Sequence, residues 1–138
     1  VVPAPNPNQY RSGTAACHPP KSTFPSAANL VAMSYTNVDY VDVASVGGGL
    51  HFLREPLDCD QLGISVLDCE PNWSGKPHDH AEDQQEEVYV LVEGAATITV
   101  DGDDISLAAG EAIRVAADSE RQLHTGDTPS QFVIAGAP

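Results

Sequence analysis

At 138 residues the chain has room for one domain-sized core. Twenty Asp and Glu against six Lys and Arg leave a net charge of −14, which excludes the basic surface that nucleic acid or an anionic membrane requires. No apolar run approaches the ~20 residues of a membrane span, and a hydrophobic content of 41% argues against a disordered acidic chain.

The charge is unevenly placed. Residues 1–32 hold no acid at all and carry Arg11 and Lys21, so the remainder has four basic residues against twenty acidic ones, 4 − 20 = −16. This first stretch is rich in Pro, Ala, Ser and Asn without sustained periodicity, and predicts a disordered or non-native N-terminal extension. Met33, the single methionine, marks the expected start of the folded domain, 33–138. The N-terminal residues lack the basic end and apolar stretch of a secretory signal, so a cytoplasmic location is expected. Cys17, Cys59 and Cys69 are odd in number and show no C-x-x-C spacing, which predicts free thiols and no disulfide framework.

From Met33 onward short β-favouring runs alternate with turn signals, and no helix is expected. The predicted strands are 37–46, 50–54, 63–69, 76–80, 86–93, 95–101, 104–107, 112–115, 121–124 and 131–135. Gly47-Gly48-Gly49, Asp101-Gly102, Ala109-Gly110 and Gly126-Asp127 suit the tight turns between them. The segment from Thr97 to Ile105 has the pattern of a hairpin. Many short antiparallel strands predict an all-β sandwich or closed barrel.

Chemistry concentrates in two of these runs. In His78-Asp79-His80 the imidazoles stand at i and i+2, so on a strand both point to one face and Asp79 to the other. On the next strand Glu87, Tyr89 and Leu91 share a face opposite Val88, Val90 and Val92. If Glu87 faces the histidines, two imidazoles and a carboxylate converge. Such a set with open positions suits Fe(II), and nitrogen and oxygen donors also accept Mn, Ni, Cu or Zn. Glu82 and Glu86 compete with Glu87 for the acidic position.

The spacing around these residues resembles the first motif of the cupin family: Gly, five residues, His-x-His, three or four residues, Glu, six residues, Gly. His78 and His80 match, Glu87 stands six residues before Gly94, and Asn72 occupies the first glycine position. Asn is the residue that best replaces glycine at positive φ. The loop from His80 to Glu87 is longer than the motif. In the second motif Gly110 matches, while Ala116, Asp118, Arg121 and Thr125 replace Pro, Gly, His and Asn. The resemblance implies a single-domain cupin barrel, the double-stranded β-helix or jelly roll. It also implies a divalent transition metal on His78, His80 and Glu87, a small-molecule ligand, and a homodimer that covers an open strand edge.

Arg121 stands where the family's fourth ligand should be, and an arginine cannot coordinate metal. It either grips an anionic ligand beside the metal or pairs with Glu87 in a metal-free pocket. Arg114 is expected to join it as a second substrate-binding cation if Ile113 and Val115 fill the outer layer, and Tyr89 and Trp73 are expected at the pocket mouth. His124 falls on the face opposite Arg121 by alternation, and His51 is structural. Three functions stay open: a metal-dependent enzyme on a small anionic or carboxylated substrate, a non-catalytic sensor or binding module with a metal-free anion pocket, or a structural β-barrel whose pocket has lost function. The abundance of carboxylates with only two lysines, Lys21 and Lys76, further resembles proteins of salt-loving organisms. There ~1 M salt shrinks the Debye length to about 3 Å and screens the self-repulsion of the surface.

Overall fold

A computed structural model describes residues 34–138; the expected extension over 1–32, with Cys17, and Met33 lie outside the described residues. Eight strands form two antiparallel sheets facing each other: β1 (Leu50–Phe52), β2 (Gly63–Cys69), β3 (Glu86–Glu93), β4 (Ala95–Val100), β5 (Asp103–Ala108), β6 (Ala112–Val115), β7 (Arg121–Thr125) and β8 (Ser130–Ala137). The larger sheet has the order β1-β2-β8-β3-β6 and the smaller one β5-β4-β7. This is the expected all-β jelly roll.

Alternation builds the core. Tyr89 and Leu91 of β3, Leu67 and Cys69 of β2, and Phe132 of β8 face Ala96, Ile98, Leu107 and Leu123 of the smaller sheet. The predicted hairpin forms in register, Val100 opposite Asp103. Its turn residues Asp101 and Gly102 take φ of 50° and 91°, the paired positive values that a type I′ turn demands and that match strand twist.

The predicted strand over 37–46 is not one. Asp39 accepts a hydrogen bond from the Val41 amide at 3.2 Å and caps a short 3-10 turn at Tyr40–Asp42. The aspartate side chain offers the backbone a local alternative to a ladder, and it outweighs the β propensity of the flanking valines. The 76–80 run is likewise not a regular strand; it is an extended segment held to β7 by isolated bridges. Among the described residues, no helix is long and apolar enough to cross a membrane.

Candidate metal centre

The segment from Trp73 to His80 runs antiparallel to β7, and one irregularity in it sets the site. Thr125 N–H donates to Trp73 O at 2.9 Å and Gly75 N–H to Leu123 O at 2.9 Å, which places Ser74 opposite His124. Further along, His78 and Arg121 exchange both backbone bonds, at 3.1 and 2.8 Å. Between Gly75 and His78 the segment therefore spends one residue more than β7 does between Leu123 and Arg121. That is a β-bulge at Lys76-Pro77, and proline, lacking an N–H, is suited to an unpaired position. The bulge switches the inward-facing parity. Trp73 and Gly75 face inward before it, His78 and His80 after it, while Ser74 and His124 bond to each other on the outer face through Oγ and Nδ1 at 3.0 Å.

β3 brings Glu87 to the same interior, through pairing with Val115 on one side and Gly136 on the other. One ligand atom from each of His78, His80 and Glu87 lies within 4.8 Å of the others. His80 Nε2 is 3.3 Å from Glu87 Oε1 and His78 Nε2 is 3.9 Å from Glu87 Oε2. The two imidazoles stand edge to face, with centroids 5.3 Å apart. His78 Nδ1 lies 3.1 Å from Lys76 O. A carbonyl only accepts, so Nδ1 carries the proton and Nε2 presents its lone pair to the centre. Asp83 Oδ2 stands 3.8 Å from His80 Nδ1, beyond hydrogen-bond distance, on an exposed side chain. Sequence reading missed Asp83, which sits in the long loop that the first motif does not accommodate. Two imidazoles and one carboxylate converging in this way are a donor set fit for a divalent transition metal.

Glu87 is held from behind. Tyr89 O–H donates to its Oε2. Burial pushes the Tyr89 phenol well above its usual range, and the neighbouring Glu87 charge pushes it further. It therefore stays protonated as a donor. Arg121 Nε lies 3.8 Å from the same oxygen, too far for a hydrogen bond but close for charge. Arg121 is wholly buried, 0% exposed. One terminal nitrogen donates to Ala116 O at 2.9 Å, whereas Nε and the other terminal nitrogen have no partner.

The competing acids go elsewhere. Glu86 lies on the outer face of β3 and is ion-paired with Arg114, while Glu82 is exposed in the loop. Arg114 is exposed opposite Val88, because Ile113 and Val115 point inward. The structure therefore does not bring it to the site, and the condition on which it was expected there is reversed. His51 sits on the outer face, bonded to Val43 O at 2.7 Å. Thr125, at the last motif position, is buried and ties the loop before the site to β7, donating to Glu70 O at 2.8 Å and accepting from Trp73 N–H at 2.9 Å.

A cavity of about 440 Å³ opens onto the His78, His80 and Glu87 cluster. Tyr89 and Trp73 line it, and Arg121 does not. A second cavity of about 220 Å³, lined by Arg54 and Gln85, meets the cluster from the other side of His80 and Glu87.

The family model described as "Cupin domain" matches residues 65–136. The chain is 36% identical over 95 residues to an uncharacterized protein of Streptomyces coelicolor, covering 69% of this chain and 84% of that one. Among solved structures, a cupin protein from Bacteroides fragilis is 26% identical with a TM-score of 0.61, over 73% of this chain and 86% of that chain. A sugar phosphate isomerase of the cupin superfamily from Silicibacter pomeroyi is 19% identical with a TM-score of 0.61, over 74% of this chain and 75% of that chain.

Proposed function

The chain belongs to the cupin domain family, and from that premise we propose that it is a metal-binding small-molecule cupin. Its divalent transition metal is held by His78, His80 and Glu87. The observation that carries this reading is the convergence of the three donors at one end of the cavity, with His78 Nδ1 turned to Lys76 O so that Nε2 faces the centre. Three protein ligands leave coordination positions open, and a metal so held would supply Lewis-acid polarisation to a bound oxygen donor. Around it the chain's own groups divide the work. Tyr89 donates to the Glu87 carboxylate and holds it in place, Arg121 stands beside it as a charge, and Lys76 lines the cavity.

A cation at the head and Lys76 on the wall together suit a ligand with an anionic group such as a carboxylate. The sugar phosphate isomerase of the same fold also works on a small anionic molecule. Arg121, absent from the cavity wall, acts here through Glu87. A second reading rests on that same contact: with Nε 3.8 Å from Glu87, Arg121 can serve as the carboxylate's counter-charge in a metal-free binding pocket. We also read the protein as a cytoplasmic homodimer from a salt-accumulating host. Support comes from β1 as the edge strand of the larger sheet with exposed Phe52 on it, and from the charge of −14.

Elemental analysis of untagged protein purified in high salt, followed by calorimetric titration with Mn, Fe, Ni, Cu and Zn, decides between the two readings. Near-stoichiometric metal lost in His78→Ala is the expected result; less than about a tenth of an equivalent, with none taken up on titration, removes the metal.

A further inference from the structure

The cavity that opens onto the metal cluster is apolar. Its walls are Leu50 and Phe52 of β1, Leu67 of β2, Trp73, Leu123 of β7 and Ile134 of β8. The polar groups on it gather at one end or are already committed. His78, His80 and Glu87 form the head, and the Tyr89 hydroxyl is spent on Glu87. Beyond these, the polar groups among the lining residues are those of Ser65 and Lys76 and the indole N–H of Trp73. At about 440 Å³ it lies within the ~300–1,000 Å³ of ordinary small-molecule pockets. It is far larger than a carboxylate alone would fill.

We propose, building on the metal-binding reading above, that the ligand is an amphiphilic acid. Its carboxylate or equivalent anionic head meets the metal cluster and Lys76, and an alkyl or aryl body fills the chamber between Leu50, Leu67, Trp73 and Ile134. A sugar phosphate suits these walls poorly. Each hydroxyl placed against Leu67, Leu123 or Ile134 gives up its water without gaining a partner, whereas each methylene gains by leaving water. The selection is thus for chain length and against added hydroxyls.

Trp73 is the single tryptophan of the chain and stands on the chamber wall, so its fluorescence reports occupancy directly. Zinc-loaded wild-type protein is titrated with straight-chain carboxylates from acetate to octanoate, and with glucose 6-phosphate. The expected result is a dissociation constant that falls about fourfold per added methylene, with octanoate bound at least about tenfold tighter than glucose 6-phosphate. Leu50→Asn, a change at the half-buried edge strand, should reduce the gain per methylene to below about twofold. A flat series, or glucose 6-phosphate binding as tightly as octanoate, overturns the proposal. Zinc titration of wild type and His78→Ala, read by calorimetry, separates the two failures. Zinc bound with a flat series refutes the apolar body alone. No zinc bound, with a steep series on the metal-free protein, refutes the metal and leaves the apolar chamber standing.

Discussion

Arg121 and His78 face each other as a fully hydrogen-bonded backbone pair, N–H to O distances of 2.8 and 3.1 Å, with both side chains directed inward. A guanidinium thus occupies the position and depth from which the cupin second motif would supply its histidine. Buried completely, it is balanced by Glu87, whose side chain is 12% exposed.

The two charges of that pair are not equivalent. Glu87 lines the cavity and accepts from the Tyr89 hydroxyl; Arg121 is fully buried and, among the described residues, is ion-paired with Glu87 alone. Glu87→Gln should cost roughly 3 kcal/mol or more, because it strands a buried cation. Arg121→Met should change stability by about 1 kcal/mol or less, since it fills similar volume without two orphaned nitrogens. Urea unfolding in the presence of a chelator measures both free of metal effects. With metal restored, Arg121→Met should bind zinc about tenfold more tightly, as a nearby positive charge is removed.

Gly94 closes the first motif for a steric reason. Its φ is +87°, and a Cβ there would lie 2.3 Å from Ser130 Oγ and 2.4 Å from Pro129 O. One of those atoms is backbone and cannot swing away. Gly94→Ala should therefore destabilise the domain by about 3 kcal/mol or more, through strain and overpacking together. A thermal melt within about 2 °C of wild type would show that the β3–β4 turn can shift.

Cys69 lies in the core, and its thiol is pushed up to about 11, first by burial and then by the Asp68 charge. The unfolded thiol ionises near the ordinary value of 9.0 and the folded one does not. The stability this contributes is complete below pH 9.0 and is lost as pH rises toward about 11. Stability measured from pH 8 to 11 should fall along this interval, and less steeply in Cys69→Ala after its own cavity cost is subtracted. Native Cys69 should also resist alkylation at pH 8, reacting only when the protein unfolds.

A surface of twenty acids repels itself unless ions screen it. The melting temperature should be higher in 3 M than in 0.1 M KCl, most of the rise coming as the Debye length drops from about 10 Å toward 3 Å. A protein no less stable at low salt would count against a salt-accumulating host.

Much of this architecture was legible from local pattern. β6 and β7 alternate cleanly, and the Asp101-Gly102 turn fixes the β4–β5 register by backbone preference. The position of Glu87 relative to Gly94 separated it from Glu82 and Glu86, and the structure brings Glu87 to the histidines while pairing Glu86 with Arg114. Asn72, in place of the first motif glycine, does adopt φ of 57°. Two things were not legible. The sign of the Arg114 face depended on which layer Ile113 and Val115 fill, a tertiary fact that strict alternation leaves undecided. The apolar chamber draws its walls from residues as distant as Leu50 and Ile134, whose neighbourhood exists only once β1, β2 and β8 pair.

The bulge at Lys76-Pro77 makes the metal cluster a matter of counting. Its one additional residue decides whether His78 and His80 or Asp79 looks inward, while the flanking strands are anchored independently of it. The same sequence paired without the bulge would set Pro77 opposite Arg121 and turn Asp79 inward, whereas a relative shorter by one residue here would pair regularly and keep both imidazoles inward. The centre thus survives the loss of one residue here but not a one-residue slip of register, a difference invisible to any measure of overall structural similarity.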